Sequence, residues 1–165
     1  MVTAGAFLVG MAMETERKFL VSGDAWRSLG EPVSYAQGYL ARGVGVTVRI
    51  RIAGGKAFLA VKGPVEGISR PEFEYQVPVE DAREMLKLCR DPVIEKTRTH
   101  IPMGSHVWEV DEFGGENSGL IIAEVELSSP DEEVSLPDWI GAEVTGDPRY
   151  YNSNLTVHPF RAWKE

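Results

Sequence analysis

The sequence predicts an α+β, mainly-β fold, with seven or eight antiparallel strands closing into a barrel and a few helices packed outside. Three observations predict it. Stretches of alternating residues recur along the chain and are joined by turn-forming residues. Only one longer segment, Val79 to Cys89, carries its apolar residues (82, 85, 86 and 89) at helical spacing. In most of the strands the ionisable residues share one parity and the apolar residues the other, so each strand has one charged and one greasy face.

Taken in order, Met13 to Val21 reads as a strand with Glu14, Glu16 and Lys18 on one side and Thr15, Phe19 and Val21 on the other. Asp24 is placed to cap a short helix carrying Trp26 and Leu29. Ser34 to Ala41 is the next strand. Val46 to Ile52 follows, with Thr47, Arg49 and Arg51 opposite Val46, Val48, Ile50 and Ile52. Gly54-Gly55 turns the chain into a partner strand, Ala57 to Lys62. Residues 63–71 are rich in turn formers, and Glu72 to Val77 alternates again. After the helix, strands are expected near Ile94 to Ile101 and Val107 to Phe113, broken at Pro102-Met103-Gly104. Leu120 to Leu127 is the last long strand. In the tail, residues 138–144 suggest a short turn, and Asp147-Pro148 starts a short helix through Tyr150, Tyr151 and Leu155.

At 165 residues the chain is expected to be one domain over 13–165, preceded by a loose N-terminal extension over 1–12. That extension has no basic start and is too short to span a membrane, so neither a secretory signal nor an anchor is read into it. Met11 and Met13 are both candidate starts. The 43% apolar fraction is that of a globular protein. With 17 Lys and Arg against 25 Asp and Glu, the net charge of -8 argues against general nucleic-acid binding but leaves room for a local cationic pocket. Cys89 is the only cysteine, so no internal disulfide forms, and a reducing cytoplasm is the expected location.

The charged parity carries Glu14, Glu16 and Lys18, then Arg49 and Arg51, Lys62, Glu72 and Glu74, Lys96 and Arg98, Glu109 and Asp111, and Glu124 and Glu126. Four acid-x-acid and two base-x-base pairs are an unusual face. Two like charges ~6 Å apart repel by roughly 3 kcal/mol at an effective dielectric near 20, an arrangement that stability alone does not favour. A solvated outer face and a converging barrel interior both fit the alternation, and the repeated like-charge pairs favour the interior. Acid pairs suit a hard divalent cation, and base pairs suit a polyanion such as a run of phosphates. Together they describe a phosphoryl-transfer site.

These residues resemble the CYTH superfamily, the triphosphate tunnel metalloenzymes, and most of all its short single-domain bacterial members. The resemblance rests on Glu-x-Glu-x-Lys at 14–18, QGYL at 37–40, VRIR at 48–51, VKG at 61–63, EFEY at 72–75, EKTR at 95–98, WEVDEF at 108–113, AEVEL at 123–127 and the tail from Asp138 to Leu155. It implies an eight-stranded tunnel with the charges inside. In the family, bases matching Lys18, Arg49, Arg51, Lys62, Lys96 and Arg98 bind triphosphate, and acids matching Glu14, Glu16, Asp111, Glu124 and Glu126 hold Mg²⁺ or Mn²⁺. Glu16, Lys18, Arg49, Arg51, Lys96 and Arg98 would act at the reaction itself, and Glu72, Glu74 and Glu109 would lie in the same tunnel. Two positions depart from the family's pattern: Ala60, where relatives often carry a hydroxyl, and Pro148, where some carry a lysine that Arg149 or Lys164 would have to replace.

The expected activity is metal-dependent hydrolysis of inorganic triphosphate to diphosphate and phosphate, with a small-molecule substrate, no nucleic acid and no membrane, and a homodimer left open. Adenylate cyclase of the CYTH class and thiamine triphosphatase are the alternatives on the same scaffold, although no segment supplies an obvious base pocket. A non-catalytic polyphosphate or nucleotide binding module is a further alternative, one that gains little from so many acids. Tyr39 suits either a lid or packing. His100, His106 and His158 make no metal-ligand spacing, Trp108 and Trp139 fall on apolar positions, and Arg17, Lys56 and Glu112 have the wrong parity for the site.

Overall fold

The computed structural model describes residues 12–163. Its strands are β1 (Met13–Val21), β2 (Pro32–Arg42), β3 (Thr47–Ala53), β4 (Lys56–Lys62), β5 (Ser69–Val77), β6 (Ile94–Met103), β7 (His106–Phe113), β8 (Ile121–Glu126) and β9 (Ile140–Glu143). The first eight pair antiparallel in the order β5-β4-β3-β2-β6-β7-β8-β1, and β1 returns to β5 through Met13–Thr15 against Ser69–Pro71, so the eight form a ring. Ring closure pairs strands that would otherwise be edges. The β3–β4 hairpin turns on Gly54 at φ +58°, a conformation open to glycine without strain.

The apolar parity faces out and is covered over most of the ring, although Phe73 and Tyr75 of β5 stay exposed. Phe19, Trp108, Val110, Ala123 and Val125 pack under Trp26 and Trp139, with Trp108 edge-on to both Phe19 and Trp139. Helix α1 (Val79–Leu88) lays Ala82, Met85 and Leu86 on Ile50, Ala57 and Leu59 of β3 and β4. Acidic Glu80 and Asp81 in its first turn and Lys87 in its last suit the helix dipole. The helix end sits close to β2, because a Cβ on Gly38 would lie 2.7 Å from the Cys89 sulfur.

The tail behaves differently from the expected outer cover. Leu20, Ile94, Phe113 and Ile122 share the inward parity of the charged residues, yet they are apolar. At this end of the ring they meet Tyr150, the short helix α2 (Asn152–Leu155), Phe160 and Trp163. The tail therefore plugs one end of the lumen, because that is where the inward positions are apolar.

Other elements differ in detail. Residues 140–143, expected within a turn, form β9 beside β1, giving the sheet a ninth strand outside the ring. Asp24 makes no cap bond and pairs with Arg27, next to a single 3-10 turn at Ala25–Ser28. Asp147 does cap the tail turn, accepting from the Arg149 amide. The proposed extension lies outside the described residues except for Ala12, whose carbonyl accepts from the Glu72 amide at 2.9 Å. No helix among the described residues is long and apolar enough to cross a membrane.

Candidate functional site

A cavity of about 230 Å³ lies within the ring, lined by charge from seven of its strands. The period-two pleat explains its composition. β1 contributes Glu14, Glu16 and Lys18, β3 contributes Arg49 and Arg51, and β4 contributes Lys62. β5 adds Glu72 and Glu74, β6 adds Lys96 and Arg98, β7 adds Glu109, and β8 adds Glu124 and Glu126. Tyr39 of β2 also lines the cavity and is 8% exposed, so it packs and faces the lumen at once.

The opposite charges form three ion-paired groups, around Lys18 and Arg98, around Lys62, and around Glu74. Lys18 Nζ lies 2.9 Å from Glu124 and 3.2 Å from Glu16. Lys62 Nζ donates to both oxygens of Glu14, at 3.0 and 2.9 Å, and lies 2.9 Å from Glu72. Arg49 and Arg51 share one oxygen of Glu74, at 3.1 and 3.3 Å. Lys96 donates to Asp111 at 2.7 Å and to Asn152 at 3.1 Å. Arg98 grips Asp111 with two bonds of 2.6 and 2.7 Å and also donates to Glu109. The Tyr35 ring lies between two of these bases, 5.2 Å from the guanidinium carbons of both Arg51 and Arg98.

Asp111 is the one expected site residue that does not line the cavity. It is fully buried, with both oxygens engaged by Lys96 and Arg98. Its parity is inward, but its short side chain stops at the wall, where it lies beside its register partner Arg98. It thus holds two cations from behind.

Burial and neighbouring charge shape the ionisation. Burial raises the Glu14 pKa to about 7, with Glu16 adding and Lys62 opposing. Partial desolvation raises Glu126, and Glu72, Glu109 and Glu16 add to it. Burial works against charge on Glu124, but Lys18, Arg98 and Lys96 outweigh it and hold its pKa well below the carboxylate range. The same balance lowers Asp111 through Arg98 and Lys96 and raises Lys18 through Glu124 and Glu16. For Lys96, burial outweighs Asp111, with Arg98 adding its repulsion, and the pKa falls to about 8. Burial and the neighbouring Arg49 lower Arg51.

Two kinds of ligand suit this lumen. The buried Arg49 Nε and Arg51 Nε find no acceptor among the described residues, as expected of donors that await an anion. Among the described residues no three acids form a ready-made metal cluster, because Lys18 and Lys62 stand between them. The donor chemistry nevertheless fits a hard cation. Glu16 and Glu126 are direct cross-strand partners, and their mutual repulsion is part of what raises Glu126.

The tail and the β4–β5 loop bring in residues that alternation did not single out. Thr145, Tyr151, Asn152 and Ser153 line the cavity from the tail, and Asn152 Oδ1 accepts from both Lys96 and Gln37. Arg70 also lines it, on a strand that begins at Ser69 and not at Glu72; its parity with Glu72 and Glu74 was the available signal. Arg149 pairs with Asp147 and stacks over Tyr150 and Trp163, away from the cavity, and Lys164 lies outside the described residues. His106 bonds Glu132 at 2.8 Å, on the outside.

The CYTH domain profile matches residues 12–151 of the chain. The chain belongs to the CYTH domain family. Within this family it is 52% identical to an inorganic triphosphatase of Acetivibrio thermocellus over 156 residues, covering 94% of this CYTH chain and all of that protein. It is 36% identical to an inorganic triphosphatase of Nitrosomonas europaea over 149 residues, covering 87% and 97% of the two chains. A crystal structure of an inorganic triphosphatase superposes with a TM-score of 0.62 at 33% identity, covering 87% of this CYTH chain and 94% of the other.

Proposed function

We propose that this CYTH protein is a metal-dependent triphosphatase that hydrolyses inorganic triphosphate to diphosphate and phosphate. The observation that carries the reading is the lumen itself. Six bases expected to bind phosphate converge on one cavity, interleaved with acids, inside a ring plugged at one end. The names of the two relatives support it. So does size: at about 230 Å³ the cavity is smaller than the ~300–1,000 Å³ pockets that take drug-sized ligands, which suits a nucleoside-free substrate. On this reading the eight-stranded ring is the family's tunnel.

Glu14, Glu16, Glu124 and Glu126 would hold Mg²⁺ or Mn²⁺. Such a cation, when bound, neutralises phosphate oxygens and stabilises the charge that develops on the leaving diphosphate. Lys18, Arg49, Arg51 and Lys62 leave their internal carboxylates for the phosphate oxygens, Lys96 and Arg98 turn their remaining donors to them, and together they fix the chain in place. Asp111 keeps Lys96 and Arg98 aimed as this exchange occurs. Water attacks the terminal phosphorus in line with the bond to the bridging oxygen, its proton passes to a lumen carboxylate, and diphosphate leaves.

The test is phosphate release from inorganic triphosphate, ATP and thiamine triphosphate, each with Mg²⁺, Mn²⁺ or EDTA. The expected result is release mainly from inorganic triphosphate and only with metal. Cyclic AMP and diphosphate from ATP would show a cyclase instead. Tight triphosphate binding without release would show a binding module.

A further inference from the structure

Arg70 differs from the other bases of the lumen. Lys18, Arg49, Arg51, Lys62, Lys96 and Arg98 each have a carboxylate within 4.0 Å. Arg70 has none among the described residues, although it lies directly across from Glu14 in the β1–β5 ladder. Glu14 reaches past it to Lys62. The Arg70 Nε donates to the Gly63 carbonyl at 3.0 Å, which anchors the guanidinium and leaves both Nη groups for another acceptor.

Its place in the ring gives this a direction. β5 and β6 are separated by three strands on either path, through β4, β3 and β2 or through β1, β8 and β7. Arg70 therefore stands on the wall opposite Lys96 and Arg98. We propose that Arg70 binds the end of the polyphosphate chain distal to Lys96 and Arg98, and so selects substrates long enough to reach both walls. The inference deepens the triphosphatase reading and rests on it for the identity of the ligand. The other bases are each already paired with an internal acid that competes with phosphate, whereas Arg70 has no acid to compete. Its planar fork suits a terminal phosphate, which exposes more free oxygens than a bridging one.

Arg70→Gln tests this, because the amide keeps a donor for Gly63 while removing the charge. Calorimetry with the full chain in EDTA measures binding of inorganic triphosphate and of diphosphate, and steady-state assays with Mg²⁺ measure KM and kcat. We expect triphosphate affinity to fall at least tenfold and diphosphate affinity less than threefold, KM for triphosphate to rise, kcat to stay within threefold, and Arg70→Lys to recover most of the affinity. Unchanged triphosphate affinity in Arg70→Gln would overturn the inference. Equal losses for both ligands with a lower Tm would also overturn it, by showing that Arg70 only braces the loop. The two readings fail separately. A wild type that binds triphosphate through Arg70 without hydrolysing it sinks the activity alone, and an active wild type indifferent to Arg70→Gln sinks this inference alone.

Discussion

Lys18 and Glu124 face each other across the β1–β8 ladder, and their side chains meet at 2.9 Å with each about 10% exposed or less. Glu124 is the acid that Lys18, Arg98 and Lys96 all stabilise. Two residues further along the same strand, Glu126 is an acid that its neighbours repel. The same residue type thus plays opposite energetic roles at two positions of β8.

Replacing Glu124 with alanine is expected to destabilise the fold. Breaking a buried pair leaves cations uncompensated and costs roughly 3–5 kcal/mol. For a protein of this size that lowers the Tm by about 6–20 °C. Thermal unfolding checks it, and a Tm within 2 °C of wild type would show that the lumen bases do not depend on this acid.

Glu126→Ala is expected to do the reverse. Removing a repelled acid leaves the Tm unchanged or raised, while losing one cation ligand costs about 3 kcal/mol of transition-state stabilisation, on the order of 100-fold in kcat/KM. Glu16→Ala should lose activity likewise with the fold intact. Near-normal phosphate release by either variant would remove these residues from the metal site.

Lys96 sets an alkaline limit. With its pKa near 8 in the free protein, Lys96 loses its charge as pH rises through 8, and KM for triphosphate should climb above that pH. Lys96→Arg, which stays charged, should flatten the climb. Stability moves the other way. Between about 8 and the ordinary lysine value of 10.5 the unfolded chain binds the proton and the folded chain does not, so this residue makes folding more favourable as pH rises through that window. A KM profile identical in Lys96→Arg and wild type would assign the limb to another group.

Divalent metal should stabilise the protein even without substrate. Binding to the folded state alone adds about 2.7 kcal/mol at a hundred times the dissociation constant. Mg²⁺ or Mn²⁺ should therefore raise the wild-type Tm, and the rise should shrink in Glu16→Ala and Glu126→Ala. An equal rise in all three would place the cation elsewhere.

Period-two alternation made most of this lumen legible. It placed Arg49 and Arg51, or Glu72 and Glu74, on one face without any knowledge of which strands meet. It could not see depth: Asp111 has the same parity as Glu109 but stays behind Lys96 and Arg98, since reach depends on side-chain length and on the register partner. It missed Arg70 because Pro71 and the preceding turn formers hid the first residues of β5. Asn152 and the plug carry no period, because the tail enters the site through irregular turns whose position is set by Leu20, Ile94, Phe113 and Ile122. β9 was too short to distinguish from a turn by pattern alone.

Seven acids and seven bases line the cavity, and nearly all are already matched to one another. Such a lumen is a mixed-bed ion exchanger in miniature. Simple salts gain little by entering, since each ion would have to unseat a partner of its own sign without replacing the charge left behind. A polyphosphate arriving with its counter-cation satisfies both sets at once. On the triphosphatase reading the lumen is guarded against monovalent ions, and anion and metal are expected to enter together as one salt.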